Sequence, residues 1–193
     1  MTDTLRPILF ARYPEANRCK TRLIPALGAE DAADMHRRLV ERSVTRLHIL
    51  QPVLAYTGAG KTAFRQWLGA DISLKPQIDG DLGTRMLAAM TPGPAIVVGS
   101  DIPDISADSV RQAMTLLESH DVVLGPAEDG GFWLIGLATP DRRLFEGVEW
   151  GGGNVLGRVV ANAQALCLST AFAETLADLD RPEDLARWPD LAT

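Results

Sequence analysis

The segment AIVVGSDIP at residues 95–103 decides the fold class of this chain. Its first five residues are apolar or small without alternation, which is typical of a strand buried on both faces of a sheet. Ser100 and Asp101 follow directly, so polar groups stand where the strand ends. Because ligands of open α/β sheets bind beyond the carboxyl ends of strands, the segment predicts an α/β protein with these two residues at its site.

The rest of the chain extends this pattern, since short apolar runs alternate with segments of helical period. Strands are predicted at Pro7 to Ala11, Pro52 to Tyr56, Ser73 to Gln77, Ala95 to Gly99, Asp121 to Gly125, Phe132 to Leu137 and Ala165 to Leu168. Helices are predicted at 32–50, Ala63 to Leu68, Asp81 to Met90, after a Ser106 cap, at Val155 to Ala163 and after Pro182. No repeat or linker divides the sequence, so residues 1–193 are predicted to form one domain.

The composition excludes several classes of protein. With 193 residues, of which 46% are hydrophobic and 23% charged, the chain is long and apolar enough for a buried core. Cys19 and Cys167 are too few for a disulfide scaffold, and no apolar run reaches the length of about eighteen residues that a membrane span needs. A net charge of −6 without a basic stripe argues against nucleic-acid binding. We expect a cytoplasmic protein that acts on small molecules.

A basic loop follows the first predicted strand. Arg12, Arg18, Lys20 and Arg22 lie within eleven positions of one another, beyond the carboxyl end of that strand. Cations in this place are suited to a phosphate or another anion. A solvated surface loop would have the same composition, and the residues by themselves leave both interpretations open.

Three aspartates are candidates for binding Mg²⁺ or Mn²⁺. Asp101 ends the central strand, and Asp178 and Asp180 are two positions apart, so their carboxylates share one side of an extended segment. Each aspartate also has a structural alternative. Asp101 could serve a turn before Pro103, and Asp180 could cap a helix that begins with Pro182.

Two glycine-containing turns could bring backbone close to a ligand. One is QIDGDLGTR at residues 77–85, and the other is Asp129-Gly130-Gly131. Such turns are also ordinary connections, the first between a strand and a helix and the second within a hairpin. A phosphate-loop interpretation of Gly60-Lys61-Thr62 is weaker, because the helix after it is short. The three histidines are isolated in sequence and are predicted to be surface or partly buried side chains.

Five segments taken together resemble a known family. They are LFARYPEANRCKTRL at 9–23, QIDGDLGTRM at 77–86, VGSDIPDI at 98–105, VLGPAEDGGFWLIGL at 123–137 and LADLDRPEDL at 176–185. In this order they resemble bacterial glycosyltransferase-like proteins of the GT-A, or nucleotide-diphospho-sugar transferase, fold, which are related to 2-phospholactate guanylyltransferase. The resemblance implies a three-layer α/β/α sandwich, a mostly parallel mixed sheet of roughly seven strands, and a nucleotide over the carboxyl edge of that sheet.

The resemblance also implies residue roles. It implies that Asp101, Asp178 and Asp180 bind the metal. It also implies that Lys20 and Arg22 are catalytic residues that face the phosphates, and that Asp129 lies on the acceptor side. The nucleotide and substrate positions are Arg12, Gln77, Gly80, Asp81, Leu82, Gly83, Arg85, Ser100, Gly130 and Gly131. The chain departs from the family pattern where it has Arg12 for a lysine, Asn17 for a glycine, and Gly151-Gly152 for a Ser-Thr pair.

The sequence and the resemblance together favour metal-dependent glycosyl transfer from a nucleotide-diphospho-sugar to a small acceptor. The alternative is nucleotidyl transfer, in which a nucleoside triphosphate loses pyrophosphate to a phosphorylated small molecule. The same cations and carboxylates serve both reactions, so the residues do not separate them. A third hypothesis is a nucleotide-binding module without catalysis, because the Gly151-Gly152 departure removes two hydroxyl groups.

Overall fold

Six of the seven predicted strands are found at their predicted places in the computed structural model, which describes residues 5–191. The strands are β1 Ile8–Arg12, β2 Val53–Thr57, β3 Ser73–Pro76, β4 Ala95–Gly99, β5 Val122–Pro126, β6 Phe132–Leu137 and β7 Thr170–Phe172. They form one mixed sheet in the order β3-β2-β1-β4-β6-β5-β7. β6 runs antiparallel to β4 and β5, and the other pairings are parallel.

Helices connect the parallel strands. They are α1 Ile24–Leu27, α2 Ala29–Leu47, α3 Lys61–Leu68, α4 Leu82–Met90, α5 Ala107–Leu117 and α6 Val155–Ala165. Short 3₁₀ helices lie at Thr21–Leu23, His48–Leu50, Arg142–Phe145 and Pro182–Arg187. The predicted cap is confirmed, because the Ser106 side chain accepts a hydrogen bond from Ser109 N at 3.0 Å. This bond satisfies one of the free amides at the start of α5.

The helices cover both faces of the sheet, as expected for strands without polar alternation. On one face, Leu9 of β1 packs with residues of α2, α3 and α5. On the other face, the neighbouring Ile8 packs with residues of α4 and α6. The predicted three-layer α/β/α sandwich is therefore confirmed. Within residues 5–191, none of the helices combines the length and the apolar character that a membrane crossing requires.

The strand predicted at Ala165 to Leu168 is wrong. α6 continues through Ala165, and Leu166 N and Leu168 N still donate to carbonyls of this helix, Asn162 O and Ala163 O, each at 3.0 Å. Leu166 and Leu168 are apolar because they pack beneath the sheet, not because they belong to it. The edge strand β7 follows as Thr170–Phe172 and pairs with β5.

The hairpin predicted around Asp129-Gly130-Gly131 is confirmed. Ala127 N donates to Gly131 O at 3.0 Å, and β5 and β6 pair antiparallel on either side of the turn. Because β6 is reversed, it begins at the edge where the parallel strands β1, β2 and β4 end. The topology thus brings this turn to the same edge as Asp101.

Candidate active site

A cavity of about 440 Å³ opens at that edge of the sheet, which is a volume typical of small-molecule sites. The ends of β1, β2 and β4 and the start of β6 all contribute to its walls. Nine of the residues predicted for the site line it: Arg12, Gln77, Leu82, Arg85, Ser100, Asp101, Asp129, Gly131 and Asp178. The expectation that ligand-binding side chains gather beyond the carboxyl ends of the strands agrees with this placement.

A second cavity, of about 290 Å³, adjoins the first. Arg22 and Asp180 line the second cavity, and Asp129 and Asp178 line both. The two shared carboxylates therefore mark the junction between the cavities. Such a junction suits a group that is transferred from a molecule in one cavity to a molecule in the other.

Lys20 is buried behind the cavity walls, with 3% of its side chain exposed. Its backbone has φ 47° at the start of the 3₁₀ helix Thr21–Leu23, and its Nζ atom lies 2.8 Å from Asp101 Oδ1 and 3.7 Å from Asp180 Oδ1. The closer contact is an ion pair between the Lys20 ammonium and the Asp101 carboxylate. Lys20 thus engages two of the aspartates predicted to bind metal, and it lines neither cavity.

Asp180 does not cap a helix, so that alternative is wrong. The 3₁₀ helix Pro182–Arg187 has Arg181 as its cap residue, and the Asp184 carboxylate accepts the backbone N–H groups of Asp180 and Arg181 at 3.0 and 2.7 Å. The Asp180 carboxylate instead accepts from Arg22 Nη1 at 2.5 Å. Asp180 therefore joins the basic loop after β1 to the carboxyl-terminal segment of the chain.

His36 is a member of the site that sequence reasoning missed. It is 6% exposed, its Nε2 lies 3.0 Å from Arg12 O, and its Nδ1 lies 3.6 Å from Asp101 Oδ1. Burial opposes protonation, but contacts with the Asp101 carboxylate and the Cys19 thiol outweigh it and raise the pKa of His36 to about 9. Burial of the Asp101 Oδ1 atom likewise opposes ionisation, yet Lys20 and His36 hold the pKa of this carboxyl well below the usual range. The pair is therefore charged at neutral pH.

The helical period could have indicated this burial. His36 stands one position after Met35 and three before Leu39, on the apolar side of α2. The sequence did not show which strand end α2 would cover. Only the packing of α2 against the sheet brings the imidazole to Asp101.

Gln77 and Arg85 form a fixed pair in the wall of the first cavity. Gln77 Nε2 donates to Ala55 O at 2.7 Å, so its Oε1 faces Arg85 and accepts from Nη1 at 3.1 Å. The Nε of Arg85 also donates to Asp81 O at 3.4 Å, so the guanidinium is oriented, while its Nη2 group donates to no residue within 5–191. Leu82 adds an apolar surface beside the pair. This end of the cavity provides hydrogen-bond donors together with apolar contact, which are the properties that a nucleobase requires.

The two carboxylates at the junction have different surroundings. Asp129 Oδ1 accepts the N–H group of Gly131 at 2.8 Å within the hairpin turn. Burial and the nearby charge of Asp129 raise the pKa of Asp178 to about 6. A cation at the junction would relieve this repulsion between carboxylates.

Four predicted nucleotide positions lie outside both cavities: Gly80, Asp81, Gly83 and Gly130. The Asp81 side chain caps α4 by accepting from Thr84 N at 2.7 Å. Gly83 is buried where α4 passes the aromatic rings of Trp150 and Phe145, and a Cβ atom there would lie 2.8 Å from Trp150 Cζ2. The structure accounts for these residues by local packing, and their nucleotide roles stay predictions.

Gly130 is the remaining predicted position, and it connects the hairpin to the second cavity. Its φ is +90°, and a Cβ atom would overlap the carbonyl oxygen of Gly153. Leu156 N also donates to Gly130 O at 3.0 Å. The glycine therefore permits close contact between the hairpin turn and the Gly151–Gly153 loop.

The chemistry of the carboxylates is compatible with a divalent cation, which prefers oxygen ligands. Half of the Asp101 side chain is exposed, and Asp178 lies in the same cavity wall. Among residues 5–191, however, no three or more His, Cys, Asp or Glu side chains form a cluster that could hold a metal by themselves. Metal binding by Asp101, Asp178 and Asp180 stays a prediction, and any such ion would need ligands from a bound substrate.

The phosphate-loop alternative receives no support from the structure. Lys61 is exposed at the start of α3, which has eight residues, and it lines neither cavity. Gly58 of that loop instead makes room for Arg12 and Tyr13, whose atoms would lie within 3.4 Å of a Cβ.

Comparisons with known proteins agree with this architecture. Residues 39–152 match the family described as "Uncharacterized protein conserved in bacteria (DUF2064)". A structure from Desulfovibrio desulfuricans, described as that of a candidate nucleotide-diphospho-sugar transferase, superposes with a TM-score of 0.86 at 28% identity, covering 95% of this chain and 86% of that one. A CMP:2-keto-3-deoxy-manno-octonic acid synthetase complexed with CTP has a TM-score of 0.55 at 12% identity, covering 97% and 98% of the two chains, and shows the shared fold.

A curated relative comes from Phenylobacterium zucineum. It is a 3-phospho-D-glycerate guanylyltransferase, 37% identical over 103 residues. The match covers 49% of this chain and 44% of the relative, so it spans less than half of either protein. The printed activity of this relative is a nucleotidyl transfer, which is the reaction weighed above as the alternative to glycosyl transfer.

Proposed function

Since the chain belongs to the DUF2064 family of bacterial proteins, we propose that it is a nucleotidyltransferase that moves a nucleotidyl group from a nucleoside triphosphate to a small phosphorylated acceptor. The observation that carries the proposal is the pair of adjoining cavities with Asp129 and Asp178 at their junction. The first cavity would hold the nucleotide and the second the acceptor. Glycosyl transfer from a nucleotide-diphospho-sugar is the second candidate, supported by the Desulfovibrio structure.

The proposed reaction is an in-line displacement at the α-phosphorus. An oxygen of the acceptor attacks this phosphorus, a new P–O bond forms, and the bond to the β-phosphate breaks. Pyrophosphate leaves with the electron pair of the broken bond. The 3-phospho-D-glycerate of the guanylyltransferase relative is the first acceptor to test, with GTP as the first donor.

Residues of the first cavity bind and orient the nucleotide in this proposal. The Gln77–Arg85 pair faces the base. Arg12 lines the same cavity with an Nε atom that is buried and has no hydrogen-bond partner, so it is suited to a phosphate oxygen. Lys20 and His36 act behind the site, where they keep Asp101 ionised and in place.

Residues at the junction would act on the acceptor and the leaving group. Asp129 is positioned to orient the attacking group, and Arg22, on the wall of the second cavity, to offset negative charge. Mg²⁺ or Mn²⁺, held by Asp101 and Asp178 together with substrate phosphates, would neutralise charge on the phosphates. Asp180 would support this arrangement through Lys20 and Arg22.

Pyrophosphate release tests the proposed function. The protein with GTP, CTP, UTP or ATP, a divalent cation and a panel of phosphorylated acids is expected to release pyrophosphate in an acceptor-dependent manner. Asp129→Asn should reduce the rate at least about tenfold, since general catalysis by a positioned group contributes a factor of this order or more. Asp108→Asn is the matched control, because Asp108 is exposed on α5 beside Arg111.

The other hypotheses predict different results. Release of a nucleoside diphosphate from a nucleotide sugar, without pyrophosphate release from any triphosphate, would establish glycosyl transfer instead. Nucleotide binding without product from either donor class would favour the non-catalytic module.

A further inference from the structure

The second cavity has a charge distribution that its predicted catalytic residues do not explain. Besides the two junction carboxylates, its walls contain three arginines, three other acidic side chains and the Gly151–Gly153 loop. Arg181 and Arg187 belong to neither the predicted site nor the catalytic scheme above. Both lie on the carboxyl-terminal segment, away from the first cavity.

Two of the three arginines are already neutralised. Arg22 pairs with Asp180, and Arg187 donates to both oxygens of Glu128 at 2.6 and 3.1 Å. The remaining acid, Asp184, accepts the two backbone N–H groups described above. The guanidinium of Arg181 has neither an ion-pair partner nor a hydrogen-bond acceptor among residues 5–191. Arg181 is therefore the uncompensated cation of this cavity.

The Gly151–Gly153 loop, which forms another wall of the second cavity, offers backbone N–H groups and has no side chains. Gly151 and Gly153 line the cavity, and within the part of the chain that the structure describes their N–H groups donate no hydrogen bond. Gly151 has φ +83°, a conformation that side-chain-bearing residues rarely adopt. A small anion could reach these amides, because no side chain of residues 151–153 stands between them and the cavity.

We propose that the second cavity binds an acceptor with an anionic group separate from the one that attacks, and that Arg181 holds this second group. The proposal rests on the proposed function for the identity of the cavity as the acceptor site. The attacking group would lie at the junction with Asp129 and Asp178, and the second group would lie against Arg181 and the glycine amides. A phosphorylated carboxylic acid has this pair of groups, and a phosphorylated alcohol does not.

The experiment compares two probes that differ at the second group. 3-Phospho-D-glycerate carries a carboxylate where glycerol 3-phosphate carries a CH₂OH group. Calorimetry on the 193-residue chain is expected to show about tenfold tighter binding of 3-phospho-D-glycerate, since a hydrogen bond to a charged group contributes free energy of this order. In Arg181→Gln the two probes should bind within about twofold of each other, and Arg181→Lys should restore part of the preference.

Arg158→Gln is the matched control. Arg158 is also exposed and forms no ion pair in the described chain, but it lies on α6 outside both cavities. It should keep the wild-type preference. Far-ultraviolet circular dichroism should show that both glutamine variants are folded, since each replaces an exposed side chain.

Three results would overturn the proposal: no binding of 3-phospho-D-glycerate to the wild type, no preference over glycerol 3-phosphate, or an unchanged preference in Arg181→Gln. The measurement needs no turnover, so it is separate from the test of the proposed function. Preference lost in Arg181→Gln, combined with no pyrophosphate release, would support the anion site and reject nucleotidyl transfer. Pyrophosphate release together with an unchanged preference in Arg181→Gln would support nucleotidyl transfer and reject the anion site at Arg181.

Discussion

At the scale of single residues, Lys20 shows how a buried charge is tolerated in this fold. Its ammonium lies between the carboxylates of Asp101 and Asp180, which belong to segments far apart in the chain. An ammonium buried without such partners would be strongly destabilising, because it loses its hydration. Lys20 therefore acts as an internal cation that draws the acidic residues of the site together.

Replacement of Lys20 by methionine is expected to destabilise the protein by about 1 to 3 kcal/mol. Loss of one partner of a buried pair leaves the other uncompensated, and the half-exposed Asp101 keeps part of its hydration, which limits the cost. Urea unfolding measures the change. The double variant Lys20→Met/Asp101→Asn should recover part of the loss, and strictly additive effects of the two substitutions would contradict the ion-pair interpretation.

His36 should make the protein less stable as the pH rises, whereas a paired carboxylate makes a protein less stable as the pH falls. Its pKa rises from the ordinary 6.5 to about 9 in the folded protein, so protonation favours folding. The contribution is fully present below pH 6.5 and is lost as the pH rises through 9, by an amount on the order of 3 kcal/mol. Urea unfolding at several pH values between 6 and 10 should show this decline in the wild type and a flatter profile in His36→Gln. An identical slope in the two proteins would rule out the assignment.

At the scale of elements, the β5–β6 hairpin determines how the two cavities meet. Reversal of β6 places the Asp129-Gly130-Gly131 turn at the edge where the parallel strands end, and Gly130 lets this turn contact the Gly151–Gly153 loop. The contact has no space for a methyl group on the Gly130 side. The hairpin and the loop before α6 therefore behave as one unit of the site.

Gly130→Ala is expected to disturb this unit. The new Cβ atom would combine a positive φ with overlap of the Gly153 backbone, and the cost should be about 2 kcal/mol or more. Thermal unfolding measures the loss, and probe binding should weaken because the second cavity changes shape.

Gly28→Ala provides a comparison that separates the two causes. Gly28 has φ +87°, but a Cβ atom there would contact nothing within 4 Å. The stability of this variant should fall only by the strain of placing alanine at a positive φ, without any steric overlap. Equal destabilisation in the two variants would show that the contact with Gly153 is unimportant.

At the scale of the whole molecule, the candidate site exists only in the folded chain. The first cavity combines residues from the ends of three parallel strands, the start of β6 and the segment around Asp178. A ligand that binds this cavity binds the native state and not the unfolded chain. Ligand binding and global stability are therefore linked.

GTP with Mg²⁺ should raise the free energy of unfolding by about 2.7 kcal/mol at a concentration one hundred times its dissociation constant. Thermal unfolding at a series of GTP concentrations measures this linkage. EDTA should reduce the stabilisation if a divalent cation joins the phosphates to the carboxylates. Asp101→Ala should reduce the stabilisation that GTP gives in the presence of Mg²⁺. Asp108→Ala is the control on α5. Full stabilisation of Asp101→Ala by GTP would contradict the placement of the phosphates beside Asp101.

The alternation of apolar runs and helical segments was sufficient to predict the layers of this fold, because each strand is buried on both faces and each helix has one apolar side. The same physics explains the error at Ala165 to Leu168. A short apolar run packs equally well at the end of a helix, and the residues themselves do not distinguish the two. Local chemistry also placed Asp101, Arg12 and Arg85 at one edge, since strand ends and turns can be located from sequence.

The tertiary structure decided what depends on contacts between distant segments. It placed Lys20 between Asp101 and Asp180, buried His36 against Asp101, and left the Arg181 guanidinium without a partner in the second cavity. Periodicity and composition indicate which side of each segment is buried and which secondary structure the segment forms. They do not report which charges meet across the fold, because those distances are set by the packing of the helices on the sheet.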